Sequence, residues 1–337
     1  MNINLQKIQD LFAVLEKYGK TSTGGITRLS YSTEFHEAQV LLKAFMENIG
    51  MSVIIDPLGN LMGTYPGRDT SLPPICCGSH LDSVINGGAF DGALGIVSAL
   101  ECVRSWHQEN WHPHKSLTVI AFIEEEGSRF GHVCLGSRGF AGDMIENSPA
   151  DFKDRDGKSL SEFLTGYGLS PIPNPFTTVP INKKYASFIE LHIEQGKVLE
   201  NTGYSVGIVS AIAGIKRLSL LISGKANHAG STTMQDRHDA LVAAADLSVF
   251  IYKNALAAQG SYVATVGKFN VLPNEENVVP GKVSLSIEIR SENTSTLENV
   301  RNLIIEYYKK ICLEYKVEIE IINEYDVPAV PMRSDFL

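Results

Sequence analysis

The sequence predicts an α/β domain, a mixed sheet covered by helices, into which a smaller α+β domain is inserted. Strand and helix patterns alternate from residues 52 to about 193, which is typical of a sheet between helical layers. From about residue 211 the pattern changes to predicted strands and helices at residues 215–223, 236–257, 261–269, 282–290 and 297–315. We therefore place the first domain at residues 1–210 and 327–337 and the inserted domain at residues 211–326.

Helical periodicity supports the first and last helices of this prediction. Apolar residues recur with helical spacing at Leu5, Ile8, Leu11, Phe12 and Leu15, and again at Val300, Leu303, Ile304, Tyr307 and Ile311. The first set indicates an amphipathic helix. We expect the second set to lie in a hydrophobic core and not to form a cofactor site.

The composition predicts a cytoplasmic protein with two domains. The chain has 337 residues, of which 44% are hydrophobic and 20% charged, which suffices for two cores. A net charge of -9 argues against nucleic acid as a partner, and we expect neither a signal peptide nor a membrane span. The five cysteines lack the spacing of a metal site and are expected to be free thiols in a reducing compartment.

Residues 78–95 contain the first candidate metal ligands. His80 and Asp82 are two positions apart after a strand predicted at residues 74–78, so their side chains are expected to share a face. His80 could bind a metal ion while Asp82 orients its ring. Asp91 follows a glycine-rich turn that could return its carboxylate to the same ion. Taken alone, the segment has a simpler alternative, a satisfied polar pair without metal.

Three carboxylates follow the next predicted strand. Residues 117–123 are almost entirely apolar and lead into Glu124, Glu125 and Glu126, at the strand end where open α/β sheets bind ligands. Because neighbouring strand residues point to opposite sides, Glu126 could ligate a metal ion while Glu125 faces a bound water as general base. The alternative is a solvated acidic strand end, whose charges would repel one another unless cations offset them.

A second imidazole lies near the end of a third predicted strand, at residues 186–193. His192 occupies the same kind of position there as His80 does in its own segment. Two histidines with several carboxylates and no thiolate suit Zn²⁺, Mn²⁺ or Co²⁺ in an open catalytic site. The sequence therefore predicts a di-metal hydrolase site.

These motifs resemble those of the amidase and carbamoylase branch of the M20 metallopeptidase family, nearly from end to end. The matching segments lie at residues 25–31, 56–61, 78–95, 124–130, 191–196, 224–230 and 273–281. The resemblance implies a catalytic domain that holds two divalent metal ions and an inserted lid and dimerisation domain. A homodimer is therefore expected.

The resemblance also implies a role for each candidate residue. Asp91 would bridge the two ions, with His80 and His192 on one ion and Glu126 on the other, and Glu125 would be the general base. Substrate contacts are implied for Gln195, His228, Asn277 and Arg290. His228 would reach the active site of the partner subunit.

Arg290 has support that does not depend on the resemblance. Residues 282–290 alternate strictly between polar and apolar side chains, which places Arg290 on the polar face of a strand. A guanidinium there could hold a substrate carboxylate through two parallel hydrogen bonds. The alternative is an ion pair with Glu288 or another surface acid.

The chain departs from the family pattern in two places. Family members continue beyond the segment at residues 327–337 to a Gly-His-Asp motif whose histidine completes the second metal site, and no histidine follows His238 here. We therefore expect a truncated chain, an impaired second metal site and exposed apolar surface on the central sheet. Ala89 stands where relatives usually have an asparagine.

The expected function is hydrolysis of the C–N bond of an N-carbamoyl-L-amino acid to the amino acid, ammonia and carbon dioxide. The substrate would be a small carboxylate with a ureido group, since residues 130–139 resemble the carbamoylase form of this loop more than the allantoate form. Allantoate amidohydrolase and β-ureidopropionase are the alternative enzymes. The alternative of another class is a truncated, inactive paralogue that dimerises.

Overall fold

The structure, a computed structural model, describes residues 2–144, 147–169 and 185–334. It divides into two compact units, Met1–Val198 and Leu199–Leu337. The division falls near residue 198, whereas the sequence suggested a change of domain near residue 210. The return of the chain to the first domain at residue 327 stays a prediction.

The first unit is built on a five-stranded mixed sheet. Its elements are α1 (Leu5–Leu15), α2 (Thr33–Asn48), β1 (Ser52–Ile55), β2 (Leu61–Tyr65), β3 (Ile75–His80), α3 (Ala93–Gln108), β4 (Leu117–Phe122), α4 (Leu135–Ala141), α5 (Leu160–Gly166) and β5 (Ser187–Ile189). The strand order is β1-β2-β4-β3-β5, and β3 runs parallel to both β4 and β5. The prediction of a mixed α/β fold is therefore confirmed.

Strand β4 is buried on both faces of this sheet. Val119 and Ala121 pack in the main core with α1, α2 and α3, whereas Ile120 and Phe122 pack in a smaller core on the opposite side. Such a strand needs apolar residues at consecutive positions, which explains the continuous apolar run in the sequence. Leu11, Phe12 and Leu15 of α1 also enter the main core, as one face of an amphipathic helix, whereas Leu5 is 67% exposed.

Apolar surface is exposed at the β5 edge of the sheet, as the sequence led us to expect. Phe188 is 45% exposed and Ile189 is 56% exposed, and among the described strands β5 pairs only with β3. An edge strand with unpaired backbone groups and apolar side chains is a surface on which another polypeptide can add a strand.

The second unit contains a four-stranded antiparallel sheet with two long helices. Its elements are α6 (Val198–Thr202), which crosses the boundary, β6 (Ala211–Ile212), β7 (Gly214–Ser223), β8 (Asn227–His228), a 3₁₀ helix (Met234–Asp236), α7 (Ala240–Ala257), β9 (Val263–Leu272), β10 (Val278–Val279), β11 (Lys282–Ser291), α8 (Thr294–Tyr315), β12 (Glu318–Val327) and β13 (Val330–Pro331). The order in the main sheet is β12-β7-β11-β9. Strand β12 was not predicted, although the sequence shows its Glu-Ile-Glu-Ile alternation.

Helices α7 and α8 cover one face of this sheet. Alternate residues of β7 and β11, such as Leu220 and Leu285, form one core with α7 and α8, and the opposite face carries polar side chains. In α8, Val300, Ile304 and Ile311 are buried as predicted. Leu303 is 38% exposed, so its placement in the core was wrong.

We expected no apolar segment as long as a membrane span, but helix α7 is such a segment. Its 18 residues have a mean hydropathy of 1.4, which by length and composition is enough to cross a membrane. In the structure one face of α7, which includes Ala243 and Leu247, packs in the core of the second unit. The opposite face exposes Val249, Tyr252 and Leu256.

We predict that the substitution Leu247→Ala destabilises the second unit by about 2–5 kcal/mol, because it opens a cavity where the native side chain is fully buried. Leu256→Ala, in the same helix at a position that is 69% exposed, should change the stability by less than about 0.5 kcal/mol. Native-state hydrogen exchange of β7 and β11 measures both effects. Equal effects of the two substitutions would contradict the packing described for α7.

Candidate active site

His80 is the last residue of β3, and its ring is almost completely buried. Its Nδ1 lies 2.9 Å from the main-chain carbonyl oxygen of Asp82. Because a carbonyl can only accept, Nδ1 carries the proton and the neutral ring leaves Nε2 as a free acceptor. His192 is held in the same way, with Nδ1 2.9 Å from the carbonyl oxygen of Ile193. Both rings therefore offer Nε2 as a metal ligand.

The carboxylate of Asp82 does not orient His80 in the way that the sequence suggested. It lies 3.9 Å from Nδ1, too far for a hydrogen bond, and accepts instead from the backbone N–H of Glu125 at 3.1 Å and of Glu126 at 3.2 Å. Asp82 lies beyond the end of β3, so strand alternation does not set its direction. The main-chain carbonyl of Asp82 orients the ring of His80. The Asp82 side chain positions the loop that contains Glu125 and Glu126.

Asp91 meets both imidazoles just before α3. Its Oδ1 lies 3.4 Å from Nε2 of His192 and 3.9 Å from Nε2 of His80, and the two Nε2 atoms are 3.5 Å apart. The glycine that follows makes this approach possible. Gly92 has a φ of +64°, and a Cβ atom there would lie 2.4 Å from the carbonyl oxygen of His80.

The chain turns sharply after β4, and this changes the expected directions of the glutamates. Glu124 has a φ of +54°, and its buried carboxylate accepts from the backbone N–H groups of Arg129 and Phe130 and from the hydroxyl of Ser30. The strand has already ended, so Glu125 and Glu126 do not point to opposite sides of the sheet. Both place a carboxylate oxygen near His80.

The ligand atoms form two overlapping groups that could hold divalent cations. His80, Asp91 and His192 form one group, and His80, Glu125 and Glu126 form the other, with the atoms of each group within 4.8 Å of one another. Imidazole nitrogen and carboxylate oxygen are the ligands that Zn²⁺, Mn²⁺ and Co²⁺ accept in catalytic sites. The donor set therefore fits a divalent metal ion.

Burial and crowding of negative charge shift the acid–base behaviour of this cluster. Burial raises the pKa of Glu126 to about 7, with the nearby charges of Glu125 and Asp91 adding to the effect and His80 opposing it. Burial lowers the pKa of His80, but the charges of Asp82 and Glu125 outweigh it, so the net shift is upward. The cluster therefore favours a bound positive charge, either a proton or a metal ion.

Two contacts of this site escaped the sequence analysis. The thiol of Cys134 donates to Oε1 of Glu125 at 3.6 Å, and the backbone N–H of Cys134 donates to the carbonyl oxygen of Glu125 at 2.7 Å. The other contact joins Ser30 to Glu124. Neither has a local signal, because the partners are 9 and 94 residues apart and no periodicity connects them.

Gln195 lies next to the metal ligands. Its side-chain Nε2 is 3.0 Å from Oδ1 and 3.1 Å from Oδ2 of Asp91. The amide therefore covers the outer edge of the Asp91 carboxylate. Its role as a substrate contact stays a prediction.

His228, Asn277 and Arg290 belong to the second unit. Nδ1 of His228 accepts from the backbone N–H groups of Gly230 at 3.0 Å and Ser231 at 3.2 Å, so the ring proton is on Nε2. Strand β8 pairs with β10, and the carbonyl oxygen of Asn277 accepts from Ala229 at 2.9 Å. His228 and Asn277 thus lie on neighbouring segments of one exposed ribbon.

Arg290 lies on the exposed face of β11, so the predicted alternation is confirmed. Its Nε donates to Glu288 at 2.7 Å, two residues earlier on the same strand. The ion pair that we considered as the alternative reading is therefore present. The contact with Glu288 still leaves the two Nη groups of Arg290 for another ligand.

The sequence and the fold of this chain are similar to those of known hydrolases. The sequence model of peptidase family M28 matches residues 60–154. An allantoate amidohydrolase of Bacillus subtilis is 34% identical over 328 residues, which are 96% of this chain and 78% of the relative. An N-carbamoyl-L-amino acid amidohydrolase of Geobacillus stearothermophilus is 37% identical over 307 residues, which are 90% of this chain and 74% of the relative. A solved amidase of the hydantoinase/carbamoylase family from Burkholderia phymatum has a TM-score of 0.87 at 31% identity, over 99% of this chain and 81% of that chain.

We predict that Gly92→Ala disrupts the first group of ligands. The new methyl group would lie 2.6 Å from two ring carbons of His80 and would require a backbone conformation that alanine rarely adopts. Gly88→Ala is the matched control, because a Cβ atom at residue 88 would meet nothing within 4 Å. Titration with Mn²⁺ should show a metal affinity lowered by at least about tenfold in the first variant only. Equal affinities would show that the contact between Gly92 and His80 is unimportant.

We also predict that the metal-free protein becomes less stable as the pH rises from about 5 to about 8. A folded-state pKa near 7, against an ordinary value of 4.5, means that the folded form of Glu126 binds more protons than the unfolded form between these values. Stability is therefore lost as the pH rises through this window. Melting temperatures in EDTA measure the slope, and Glu126→Gln should make it shallower. A slope unchanged by the substitution would contradict the assignment to Glu126.

Proposed function

The chain belongs to the amidase and carbamoylase branch of the M20 family, whose members hydrolyse C–N bonds, and from this premise we propose that it hydrolyses an N-carbamoyl-L-amino acid. The observation that carries the proposal is the convergence of two imidazoles and three carboxylates from the end of β3 and the segments that follow β3, β4 and β5. Such a group of side chains binds divalent metal ions and can activate water beside them.

His80, His192 and Asp91 would hold one divalent ion, and Asp91 with Glu126 would contribute to a second. When bound, such ions polarise a carbonyl group and lower the pKa of a bound water. The protein prepares these ligands in advance, because both Nδ1–H groups are held by carbonyl oxygens and both Nε2 atoms face Asp91. Zn²⁺, Mn²⁺ and Co²⁺ are the candidate metals.

Glu125 is the proposed general base. Its Oε1 accepts a hydrogen bond from the thiol of Cys134, whereas its Oε2 lies 3.8 Å from Nε2 of His80. Oε2 is therefore the oxygen that takes the proton from water and later delivers it to the leaving nitrogen of the ureido group. Its backbone N–H is fixed by Asp82, which limits the positions that this carboxylate can adopt.

The residues of the second unit supply the chemistry of substrate recognition. The Nε2–H of His228 is a neutral donor suited to the negative charge that develops on the ureido oxygen. The guanidinium of Arg290 and the amide of Asn277 suit a substrate carboxylate. In this proposal the chain is a homodimer, and His228 serves the active site of the partner subunit.

Allantoate is the second candidate substrate. An allantoate amidohydrolase is 34% identical to this chain over 96% of its length. We favour an N-carbamoyl-L-amino acid because the similar N-carbamoyl-L-amino acid amidohydrolase has the higher identity, 37% against 34%. Residues 130–139 favour the same choice.

The experiment that tests the proposal is ammonia release from N-carbamoyl-L-amino acids, N-carbamoyl-β-alanine and allantoate by the purified chain loaded with Mn²⁺ or Zn²⁺. We expect turnover of an N-carbamoyl-L-amino acid above the others. Preference for allantoate or for N-carbamoyl-β-alanine would contradict the proposed substrate but would still support hydrolysis of a C–N bond. A folded, metal-loaded chain that releases no ammonia from any of them would support the inactive paralogue instead.

We predict that Glu125→Gln lowers kcat by at least about 100-fold, because the amide cannot accept the proton from water. Metal content should be unchanged, since Glu125 is proposed only as the base and the ions are assigned to His80, His192, Asp91 and Glu126. Elemental analysis of the loaded protein, next to the rate measurement, checks both statements. A variant with a near-normal rate would remove Glu125 from the role of base, and one that lost its metal would make it a ligand.

A further inference from the structure

A charged cluster on the exposed face of the second unit's sheet shares one carboxylate between two arginines. Glu288 of β11 lies opposite Arg217 of β7, and Arg290 follows two residues later on the same face. Nε of Arg217 donates to Oε2 of Glu288 at 2.6 Å, and Nε of Arg290 donates to Oε1 at 2.7 Å. Each arginine therefore donates to a different oxygen of the Glu288 carboxylate.

This sharing decides which edge of Arg290 remains available. A guanidinium can form two parallel hydrogen bonds to a carboxylate through its Nε and one Nη, or through both Nη atoms. Glu288 occupies the Nε position. Within the residues that the structure describes, no hydrogen bond from the Nη atoms of Arg290 is present, so the edge formed by both Nη atoms is open to a ligand.

Two other ion pairs of this chain show a glutamate that binds a single arginine through both of its oxygens. Arg104 binds Glu101 through Nε and Nη2, at 2.5 and 2.6 Å. Arg301 binds Glu324 through the same two atoms, at 2.5 and 2.9 Å. In both pairs the two oxygens of one glutamate engage one arginine. At Arg290 the arrangement differs, because the second oxygen of Glu288 accepts from Arg217 instead.

The net charge of this cluster also favours an anionic ligand at Arg290. Burial raises the pKa of Glu288, but hydrogen bonds from Arg217 and Arg290 outweigh it and the net shift is downward, so the carboxyl group is ionised at neutral pH. Two guanidinium groups and one carboxylate leave one positive charge on this face. An anionic ligand can therefore bind without displacing Glu288.

We propose that Glu288 and Arg217 are positioning residues for Arg290: Arg217 holds one oxygen of Glu288, so that Glu288 restrains only Nε of Arg290 and the Nη edge faces the substrate carboxylate. The inference rests on the proposed function, because it assumes that Arg290 binds that carboxylate. Neither Glu288 nor Arg217 needs to touch the substrate. Loss of Arg217 releases the second oxygen of Glu288, which then competes with the substrate for Arg290.

The test compares Arg217→Ala, Glu288→Ala and the double variant on two substrates. One is an N-carbamoyl-L-amino acid, and the other is the same molecule with a carboxamide in place of its carboxylate. We expect Arg217→Ala to raise KM for the carboxylate about tenfold, with kcat nearly unchanged, because a charged hydrogen bond is lost. KM for the carboxamide should change by less than about twofold, since no carboxylate contact is at stake.

The double variant separates this mechanism from a general weakening of the sheet. Removal of Glu288 from the Arg217→Ala protein takes away the competitor, so the double variant should bind the carboxylate more tightly than Arg217→Ala alone. Arg301→Ala, which breaks a comparable surface ion pair, is the control and should behave as the unmodified protein. Additive losses, or equal losses on both substrates, would overturn the proposal.

Binding measurements keep this test independent of turnover. Calorimetric Kd values for the N-carbamoyl amino acid, measured in the Glu125→Gln background, should follow the same order as KM. A chain that binds this compound without releasing ammonia would disprove the proposed hydrolysis, and the Kd series would still decide the roles of Arg217 and Glu288. A chain that neither binds nor hydrolyses it would overturn both proposals.

Discussion

The buried carboxylate of Asp82 joins the loops that follow two neighbouring strands, and the candidate active site depends on this junction. Strands β3 and β4 run parallel, with His80 opposite Phe122, so their carboxyl ends meet at one edge of the sheet. The side chain of Asp82 accepts hydrogen bonds from the backbone N–H groups of Glu125 and Glu126. The main-chain carbonyl oxygen of Asp82 fixes the ring of His80. Removal of this carboxylate would leave two N–H groups without their partner and free Glu125 from its position.

The same junction gathers negative charge that the fold alone does not stabilise. Burial and neighbouring carboxylates raise the pKa of Glu126, which shows that its ionised form is disfavoured in the metal-free protein. Sites that are built to bind a cation commonly carry such a local cost, because the ligand offsets it when it binds. The surrounding core of the first unit, with β4 buried on both sides, supplies the stability that tolerates it.

The polar face of the second unit's sheet handles charge in the opposite manner. Helices cover one face of this sheet and leave a polar face on which Arg217, Glu288 and Arg290 are partly exposed. There each charge has a partner across or along the strands, and no costly burial is required. An exposed guanidinium that keeps one free edge is suited to a carboxylate ligand that must bind and leave.

The sequence by itself determined the α/β class, the identity of the two histidines and the carboxylates near them, and the polar face of β11, because these depend on local periodicity and residue chemistry. It did not determine how the side chains meet. Strand alternation failed for Asp82 and for Glu125 and Glu126, since β3 ends at His80 and Glu124 turns the chain with a positive φ. The contacts of Asp82 with residues 43 and 44 positions away, and the close approach of Gly92 to His80, arise only when distant segments pack together. The tertiary structure alone decided them, because a hydrogen bond or a steric contact depends on separation in space, and a local sequence pattern carries no information about that separation.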